Sequence, residues 1–500
     1  MNPISADSGD QAVLAGLREI LAQVTGREEL TDASAQTPLL WAGAGLDSLT
    51  GTLLLREVHR RFGVDVADED LNLDALATLG TLAAFVAARR LYQAGNVGRE
   101  QEARMTTVFA IDACRTPVGK IKGALAGVRP DHLTADVIRA LVARSSWLDP
   151  ARIDDVYWGA ANQAGEDNRN VARMGVLLAG LPVEIPGATV NRLCGSGMEA
   201  ISAAARAIAA GDADICLAGG TESMTRAPFV LPRAAEVFPR DAGVVDTRLG
   251  WRLVSPLMQE RYPPVSLGET AENVAERYGV DRERQDMFAL RSHQRAARAA
   301  AAGVFAEEIV PVNVQESGAA VTADEGIKPD LTLDDLAARK PAFRKDGTVT
   351  GGNSSPLNDG AAGLLLMSER AATAAGVQPI ARYAGTATAG VHPDFMGIGP
   401  VPAMTRLLAR AGWPGDSIGL AEVNEAFAAQ AIAVIDELKL DPDVVNVNGG
   451  AIAIGHPLGC SGARITTTLL YEMRRRGAAR AAAAMCIGVG QGIATLWEAA

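Results

Sequence analysis

The chain has 500 residues, 48% hydrophobic and 21% charged, which suits two or three globular domains with large buried cores. Its formal net charge of -12 at pH 7 argues against a nucleic-acid partner, because such partners are bound by a basic stripe. No secretory signal opens the chain, and no apolar run reaches the roughly 18 residues of a membrane span. We therefore expect a cytoplasmic protein without a membrane partner.

An acidic module precedes a nearly balanced body. Residues 1–95 contain 13 Asp and Glu against 7 Lys and Arg, whereas the remaining residues contain 46 against 40. The five cysteines lie far apart without CxxC or CxxH spacing, which predicts neither a metal site nor a disulfide framework. We therefore expect reduced thiols. The cysteines are Cys114, Cys194, Cys216, Cys460 and Cys486.

Residues 1–92 are predicted to form a small helical domain. DQAVLAGLREILAQVTG has apolar residues at helical spacing and ends at Gly26. DSLTGTLLLREVHRRFG predicts a second helix that begins near Asp47 and Ser48 and ends at Gly63, and a third long helix follows. Ser48 could be a helix N-cap, a nucleophile or an attachment point. It is not a GxSxG nucleophile elbow, because its flanking glycines lie three residues away on each side.

A polar segment, residues 93–104, is predicted to be a linker because it has two glycines and no hydrophobic periodicity. Met105 then opens MTTVFAIDACRTPVGK, the first predicted strand of the body, so the composition break and the internal Met indicate a fusion. Beyond it strand and helix patterns alternate, which predicts an α/β body with a central sheet. Residues 224–350 are richer in charge and proline, and we expect an inserted loop domain that covers one face.

The stretch NRLCGSGMEAISAAARAIAAG contains the first candidate for chemistry. Cys194 ends a predicted strand and opens an alanine-rich helix, where backbone N–H groups and the helix dipole favour a thiolate. Gly195 and Gly197 would let a substrate approach the backbone. The alternative is that Cys194 is a small buried hydrophobe, as a structural cysteine usually is.

Three further motifs place polar residues in apolar surroundings: NEAFAAQA, NGGAIAIGHPLGCSGARI and CIGVGQG. His456 lies in a short loop before a helix and is either a structural histidine or a base. Cys486 ends a strand at a glycine-rich turn and is a candidate general base. The motifs together indicate carbon–carbon bond chemistry beside a thioester, with Cys194 as nucleophile and His456 as its activating base. The oxyanion donors would be the backbone N–H groups of Cys194 and Gly488, with Asn424 and His456.

The motifs NRLCGSGM, NEAFA, GGAIAIGHPLG and CIGVGQG occur in the order found in thiolases, and residues 105–500 resemble a thiolase throughout. The resemblance implies a duplicated α/β fold with two central sheets in five layers, α-β-α-β-α. The first half would span residues 105–370, including the inserted loop domain, and the second half residues 371–500. Assembly as a homodimer or homotetramer is also implied.

The same resemblance assigns a role to each candidate residue. Cys194 becomes acylated after activation by His456, and Cys486 moves the proton at the α-carbon of the nucleophile. Asn424 holds a water in one oxyanion hole, and the amides of Cys194 and Gly488 form the other.

Some stretches point to a subfamily and to coenzyme A. ANQAGEDNRNVARM and GGTESMTRAPFV are most similar to thiolases acting on 3-oxoadipyl-CoA, whereas TGGNSSPLNDGAA resembles broader 3-ketoacyl-CoA thiolases. Ser266 stands where some members have a histidine, and Lys328 replaces an arginine near the nucleotide. Asp335 replaces a serine beside the pantetheine and would weaken binding of free coenzyme A, unless its carboxylate merely caps its loop. The residues that match the family's coenzyme A pocket are Ser355, Phe343, Ala426 and Phe427.

Residues 10–92 resemble an acyl carrier protein. GLDSLTGTLLLREVHRRFGVDVADEDL has the attachment triplet Asp-Ser-Leu at a helix start and an acidic helical frame. The resemblance implies that Ser48 carries 4′-phosphopantetheine, added by a phosphopantetheinyl transferase, whose thiol holds an acyl thioester. Pathway enzymes would then dock on this small all-α carrier bundle.

The combination predicts an acyltransferase that joins or splits 3-oxoacyl thioesters through an acyl group on Cys194. Its substrates would be acyl-CoA or acyl-carrier thioesters. A tether on Ser48 would raise the effective concentration of its thioester to roughly mM, which favours condensation for biosynthesis. One alternative is degradative thiolysis of 3-oxoadipyl-CoA with the carrier as an accessory. Another is a non-catalytic carrier or scaffold protein, against which the four retained motifs argue.

Overall fold

The structure is a computed structural model that divides into two compact units, Met1–Met105 and Thr106–Ala500. The predicted linker, residues 93–104, lies outside the described residues, and the domain boundary at residue 92 stays a prediction. The residues that the structure describes are 7–40, 44–64, 76–89, 106–234, 237, 243–314 and 318–500.

The first unit is a helical bundle around one apolar core. Its second helix (Ser48–Phe62) begins with a capping box, in which the Asp47 carboxylate accepts the Thr50 N–H at 2.7 Å and the Thr50 hydroxyl accepts the Asp47 N–H at 2.9 Å. It ends at Gly63, whose φ of 70° is a conformation that glycine adopts readily. The helices are α1 (Asp7–Thr25), α2 (Ser48–Phe62) and α3 (residues 79–89), and their core includes Leu17, Leu21, Leu54, Leu79 and Leu82.

The second unit is an α/β body, as the alternating pattern predicts. Its strands are β1 (Val108–Arg115), β2 (Gly119–Lys120), β3 (Asp155–Gly159), β4 (Ala188–Val190), β5 (Ile215–Ser223), β6 (Phe229–Val230), β7 (Val245–Asp246), β8 (Val312–Val314), β9 (Ala319–Val321), β10 (Asn358–Ser368), β11 (Ala381–Gly390), β12 (Leu420–Val423), β13 (Arg480–Ile487) and β14 (Gln491–Ala499). Its helices are α4 (Pro130–Arg144), α5 (Val171–Leu178), α6 (Ser196–Ala210), α7 (Pro256–Arg261), α8 (Leu267–Tyr278), α9 (Arg282–Ala301), α10 (Leu333–Ala337), α11 (Glu369–Ala375), α12 (Pro400–Ala411), α13 (Ala428–Leu438) and α14 (Leu458–Arg476).

The sheet repeats one strand order in its two halves. The order is β4-β3-β5-β10-β1 in the first half and β12-β13-β14-β11 in the second, where a bridge from Val445 to Ala421 takes the place of β4. In each half the β3–β5 or β12–β13 pair is parallel, and the next two pairs are antiparallel. The expected duplication is therefore present. The two expected sheets also join at one edge, because β1 pairs with β11 at Phe109–Arg382 and Ala110–Ala381.

Helices α6 and α14 form the middle of five layers. Met198 and Ile201 of α6 share a buried apolar cluster with Leu469 of α14 and with residues of β5 and β13. A second cluster joins α4 and α5 to the outer face of the first half of the sheet. A third joins α12 and α13 to the outer face of the second half. This arrangement confirms the α-β-α-β-α layering, which buries one apolar face of every outer helix.

Residues 224–350 hold more regular structure than expected of a loop domain. Two long helices, α8 and α9, lie within this segment, and Val274 and Phe288 enter the apolar cluster of the second half. The charged outer faces of these helices hide their apolar spacing in the sequence. The assignment of this segment as a separate inserted domain stays a prediction.

Within the described ranges, no helix combines the length and apolar character that crossing a bilayer would require. Nor does that part of the chain bring together three or more His, Cys, Asp or Glu side chains in an arrangement that could hold a metal ion.

Candidate active site

Cys194 and His456 occupy equivalent positions in the two halves. Cys194 lies two residues before the start of α6, and His456 lies two residues before the start of α14. Each therefore sits at the N-terminal end of a middle-layer helix, where the helix dipole is positive. Leu193, just before the cysteine, has a φ of 49°, a conformation that is uncommon for a residue with a side chain. Backbone strain of this kind tends to occur at functional sites.

Glycines bring the starts of α6 and α14 into backbone contact. A Cβ atom on Gly197 would lie 2.7 Å from the Gly459 carbonyl oxygen, and one on Gly462 would lie 2.4 Å from the Met198 nitrogen. A Cβ atom on Gly195 would meet the Ile487 side chain at 2.6 Å. The expectation that Gly195 and Gly197 admit a substrate is therefore wrong, because protein atoms already fill the space beside them. Gly197 allows the close packing of the two helix starts, whereas Gly195 packs against Ile487 and Ile493 of β13 and β14.

Cys194 is a buried thiol held by backbone donors. Its Sγ accepts hydrogen bonds from the N–H groups of Gly488 and of Cys194 itself. Burial raises the pKa of the thiol to about 11, since the two N–H groups offset only part of the desolvation and the Glu222 carboxylate adds to it. The thiol of the free protein is therefore protonated at neutral pH, and a base has to remove its proton during attack.

Cys486 lies close to Cys194 although the two are far apart in sequence. It is the second-to-last residue of β13 and is buried. Burial raises the pKa of the Cys486 thiol, and repulsion from a thiolate at the neighbouring Cys194 raises it further. A thiolate formed at Cys486 would therefore be a strong base beside the nucleophile.

His456 is held as a neutral imidazole. Its Nδ1 atom lies 2.6 Å from Ser461 Oγ, and the Ser461 hydroxyl is also 3.1 Å from the Pro457 carbonyl oxygen. If the hydroxyl donates to that carbonyl, it accepts from Nδ1–H, and the Nε2 lone pair is left to take a proton. Burial lowers the pKa of His456 to about 3, and the Arg464 charge lowers it further.

Asn424 completes the polar part of the site. It follows β12 directly and is buried, with its Nδ2 atom 3.5 Å from His456 Nδ1. The Asn424 Oδ1 atom has no hydrogen-bond partner among the described residues. A buried acceptor of this kind can bind a water or a substrate donor. Asn358 Oδ1 accepts the His456 backbone N–H at 2.9 Å and fixes the histidine loop.

The residues expected to hold coenzyme A lie together. The rings of Phe343 and Phe427 meet edge to face with centroids 6.1 Å apart, and the Ser355 N–H donates to the Ala426 carbonyl oxygen at 3.0 Å. Ala426 and Phe427 share a buried cluster with Cys486. The four residues thus form one surface that leads to the proposed base.

Two of the three departures from the family pattern, Ser266 and Asp335, are helix-capping residues. Ser266 caps α8 by accepting the Glu269 N–H at 3.2 Å. Asp335 forms a capping box with Thr332, whose hydroxyl donates to the carboxylate at 2.6 Å and lowers the pKa of Asp335. The structure therefore shows the capping alternative for Asp335. Lys328 has its pKa lowered by burial and by two nearby cations, Arg339 and Lys120.

Glu222 is a site residue that the sequence did not single out. It is the second-to-last residue of β5, the position that Cys486 holds in β13. Its carboxylate accepts the N–H groups of Ala161 and Gly459, each at 2.9 Å, and so connects the first turn of α14 to the sheet. Burial raises the pKa of Glu222 to about 7, although these hydrogen bonds lower it in part. The sequence signal for Glu222 is a carboxylate near the end of the predicted strand DICLAGGTES, just as Cys486 lies near the end of its own predicted strand.

A cavity of about 270 Å³ opens onto the nucleophile. Cys194 and Gly488 are among the residues that line it. Its walls are mostly apolar, which suits the hydrocarbon part of an acyl chain. The other lining residues are Ala161, Asn162, Leu193, Thr247, Arg248, Leu249, Gly250, Trp251, Arg252, Leu267, Leu458 and Val489.

The duplicated α/β fold places a buried cysteine and a histidine before two equivalent helices, and it places a second thiol near the end of a strand. Such a fold and site are those of an acyltransferase. The family model described as thiolase, N-terminal domain, matches residues 108–370, and the one described as thiolase, C-terminal domain, matches residues 377–499. The chain belongs to the thiolase family. A model described as phosphopantetheine attachment site matches residues 15–86, so a carrier domain precedes the thiolase.

Relatives and solved structures agree with this assignment. A beta-ketoadipyl-CoA thiolase of Escherichia coli is 53% identical over 399 residues, 79% of this chain and 100% of the relative. One of Pseudomonas aeruginosa is 52% identical over 395 residues, 78% of this chain and 98% of the relative. The crystal structure of a Bacillus anthracis acetyl-CoA acetyltransferase matches with a TM-score of 0.75 and 42% identity, covering 80% of this chain and 100% of that chain. Human mitochondrial 3-ketoacyl-CoA thiolase matches with a TM-score of 0.74 and 38% identity, covering 79% and 99%.

Proposed function

We propose that the protein performs Claisen condensation of acyl thioesters, and the reverse thiolysis of 3-oxoacyl thioesters, through an acyl group on Cys194. The observation that carries this proposal is the meeting of Cys194, Gly488 and Cys486 at one buried point. Acyl-CoA thioesters are the free substrates. The residues that hold coenzyme A are Ser355, Phe343, Ala426 and Phe427.

The first half-reaction loads the enzyme. The Cys194 sulfur attacks the thioester carbonyl carbon while His456 takes the thiol proton, and the N–H groups of Cys194 and Gly488 donate to the oxyanion. The carbon–sulfur bond to coenzyme A then breaks, and Cys486 gives its proton to the departing thiolate. This step leaves acyl-Cys194, a Cys486 thiolate and a protonated His456.

The second half-reaction makes the carbon–carbon bond. The Cys486 thiolate removes a proton from the carbon beside the carbonyl of the second thioester. His456 and a water held by Asn424 donate to the enolate oxygen. The carbanion attacks acyl-Cys194, the carbon–sulfur bond to Cys194 breaks, and the Cys194 thiolate recovers its proton from His456.

The second thioester is proposed to be tethered to Ser48. Ser48 is the first residue of α2, a helix of 15 residues, so a phosphate attached there gains from the positive end of the helix dipole. The 4′-phosphopantetheine group supplies a thiol that carries an acyl group. Tethering at roughly mM effective concentration favours condensation, and hence a biosynthetic role. A homodimer or homotetramer in the cytoplasm, modified by a phosphopantetheinyl transferase and docked by pathway enzymes, belongs to the same proposal.

Modification of Ser48 can be tested by intact mass. After incubation of the full chain with coenzyme A and a phosphopantetheinyl transferase, we expect the mass to rise by one phosphopantetheine. Ser48→Ala should block the gain, whereas Ser34→Ala, a change in the same unit, should leave it intact. A Ser48→Ala protein that gained the same mass would show that the attachment site is elsewhere.

The second candidate function is degradative thiolysis of 3-oxoadipyl-CoA with the carrier as an accessory. The beta-ketoadipyl-CoA thiolases that are 53% and 52% identical to the chain favour it. Fast thiolysis that is insensitive to Ser48→Ala, without condensation on the loaded carrier, would support this candidate. The non-catalytic alternative gains no support, because all four motifs meet in the folded second unit.

A further inference from the structure

The lining of the cavity at Cys194 includes cationic side chains. The segment of residues 247–252 contributes two arginines, Arg248 and Arg252, to the lining. No carboxylate lines the cavity within the described part of the chain. A mostly apolar cavity with basic groups in its lining is suited to an acyl chain that ends in an anion.

The two arginines differ in how their charges are compensated. Arg248 Nε lies 2.8 Å from Asp246 Oδ2, and this partner raises the pKa of Arg248. Arg252 donates through Nη1 to the Thr247 carbonyl oxygen at 2.9 Å, and it forms no ion pair with any described carboxylate. The guanidinium of Arg252 is therefore held in place while its charge stays available.

The segment that carries Arg252 is anchored to the catalytic framework. Thr247 is buried and donates through Oγ1 to the Pro228 carbonyl oxygen at 2.6 Å. Asn162 Nδ2 donates to Thr247 Oγ1 at 2.9 Å, and the Asn162 N–H donates to Glu222 at 3.2 Å. Because Glu222 also holds the first turn of α14 through the Gly459 N–H, hydrogen bonds connect the segment of Arg252 to the helix that follows His456.

We infer that Arg252 binds the terminal carboxylate of the acyl chain, so that the enzyme prefers dicarboxylic 3-oxoacyl thioesters over chains that end in a methyl group. This inference rests on the proposed function. A guanidinium can form two parallel hydrogen bonds to a carboxylate, which a methyl terminus cannot receive. The methylene groups between the two ends pack on the apolar wall, which includes Leu193, Leu249 and Trp251.

The test compares two substrates of equal chain length, 3-oxoadipyl-CoA and 3-oxohexanoyl-CoA, by kcat/KM for thiolysis with the full chain. We expect the wild type to prefer the dicarboxylic substrate. Arg252→Leu should lower kcat/KM for 3-oxoadipyl-CoA by about tenfold or more and leave 3-oxohexanoyl-CoA within about twofold. Arg252→Lys should restore part of the preference. Arg261→Leu, in neighbouring helix α7 and outside the cavity, is the matched control and should change neither value.

The outcomes separate the inference from the proposed function. If Arg252→Leu lowers kcat/KM equally for both substrates, or if the wild type shows no preference, Arg252 does not bind the terminal carboxylate of the substrate. The thiolase proposal would still stand. If the wild type cleaves neither substrate while its fold is intact, the proposed function itself fails, and the inference fails with it.

Discussion

Replacement of Cys194 by alanine is expected to lower acyl transfer by on the order of 10⁴-fold or more, in both the thiolysis and the condensation direction. The Cys194 sulfur is the proposed attachment atom of the acyl group, and the neighbouring thiol, Cys486, is proposed to act as the base and not to carry the acyl group. The measurement is the initial rate of acetoacetyl-CoA thiolysis, together with peptide mapping of acetyl label after incubation with acetyl-CoA.

Another buried cysteine provides the control for this change. Cys216→Ala removes a buried thiol in β5, at the opposite end of the strand from Glu222. Burial raises the pKa of this thiol to about 12. We expect it to keep activity within about threefold of wild type, since it meets no substrate. Label that still reached the same peptide in the Cys194→Ala protein would refute the assignment of the nucleophile.

Replacement of Cys486 by alanine is expected to lower condensation by about 10³-fold or more, because the proton on the α-carbon then has no base to receive it. The acylation of Cys194 should survive in part, since His456 and the two backbone N–H groups remain. The change therefore separates the half-reactions. Rapid-quench labelling measures acylation, and the rate of 3-oxoacyl product formation measures the full cycle.

The neighbouring thiol of Cys460 gives a matched comparison. Cys460 is buried in the first turn of α14, close to the histidine loop, but outside the described cavity at Cys194. Cys460→Ala should leave both half-reactions nearly unchanged. If Cys486→Ala slowed acylation and condensation to the same extent, Cys486 would be a structural residue rather than the base.

The sequence predicts the architecture, and it singles out the candidate site residues, for a physical reason. Polar residues such as Cys194, His456 and Asn424 stand in glycine-rich, otherwise apolar motifs, which a folded core tolerates only with a role or a partner. The capping box at Asp47 and Thr50 is likewise local, so the helix start at Ser48 could be predicted.

Other features depend on distant contacts and could not be predicted. Glu222 acquires its role only when the strand order places β5 and β13 in equivalent positions. Gly195 and Gly197 were assigned to substrate access, because the sequence does not show that β13 and β14 fill the space beside Gly195 and that α14 fills the space beside Gly197. Arg252 lies in a segment without clear periodicity, and its place in the cavity follows from the hydrogen bonds of Thr247.

The proposed condensation requires Ser48 to carry the thioester that acyl-Cys194 extends. In the most direct measurement, the full chain is first loaded with an acetylated phosphopantetheine arm, and acetyl-CoA or succinyl-CoA is then added as donor. The mass of the Ser48 peptide is measured by mass spectrometry. The account predicts that this peptide becomes heavier by the acyl unit of the donor in the wild type, and stays unchanged in Cys194→Ala. A Ser48 peptide that stays acetylated while free 3-oxoacyl-CoA accumulates would contradict it.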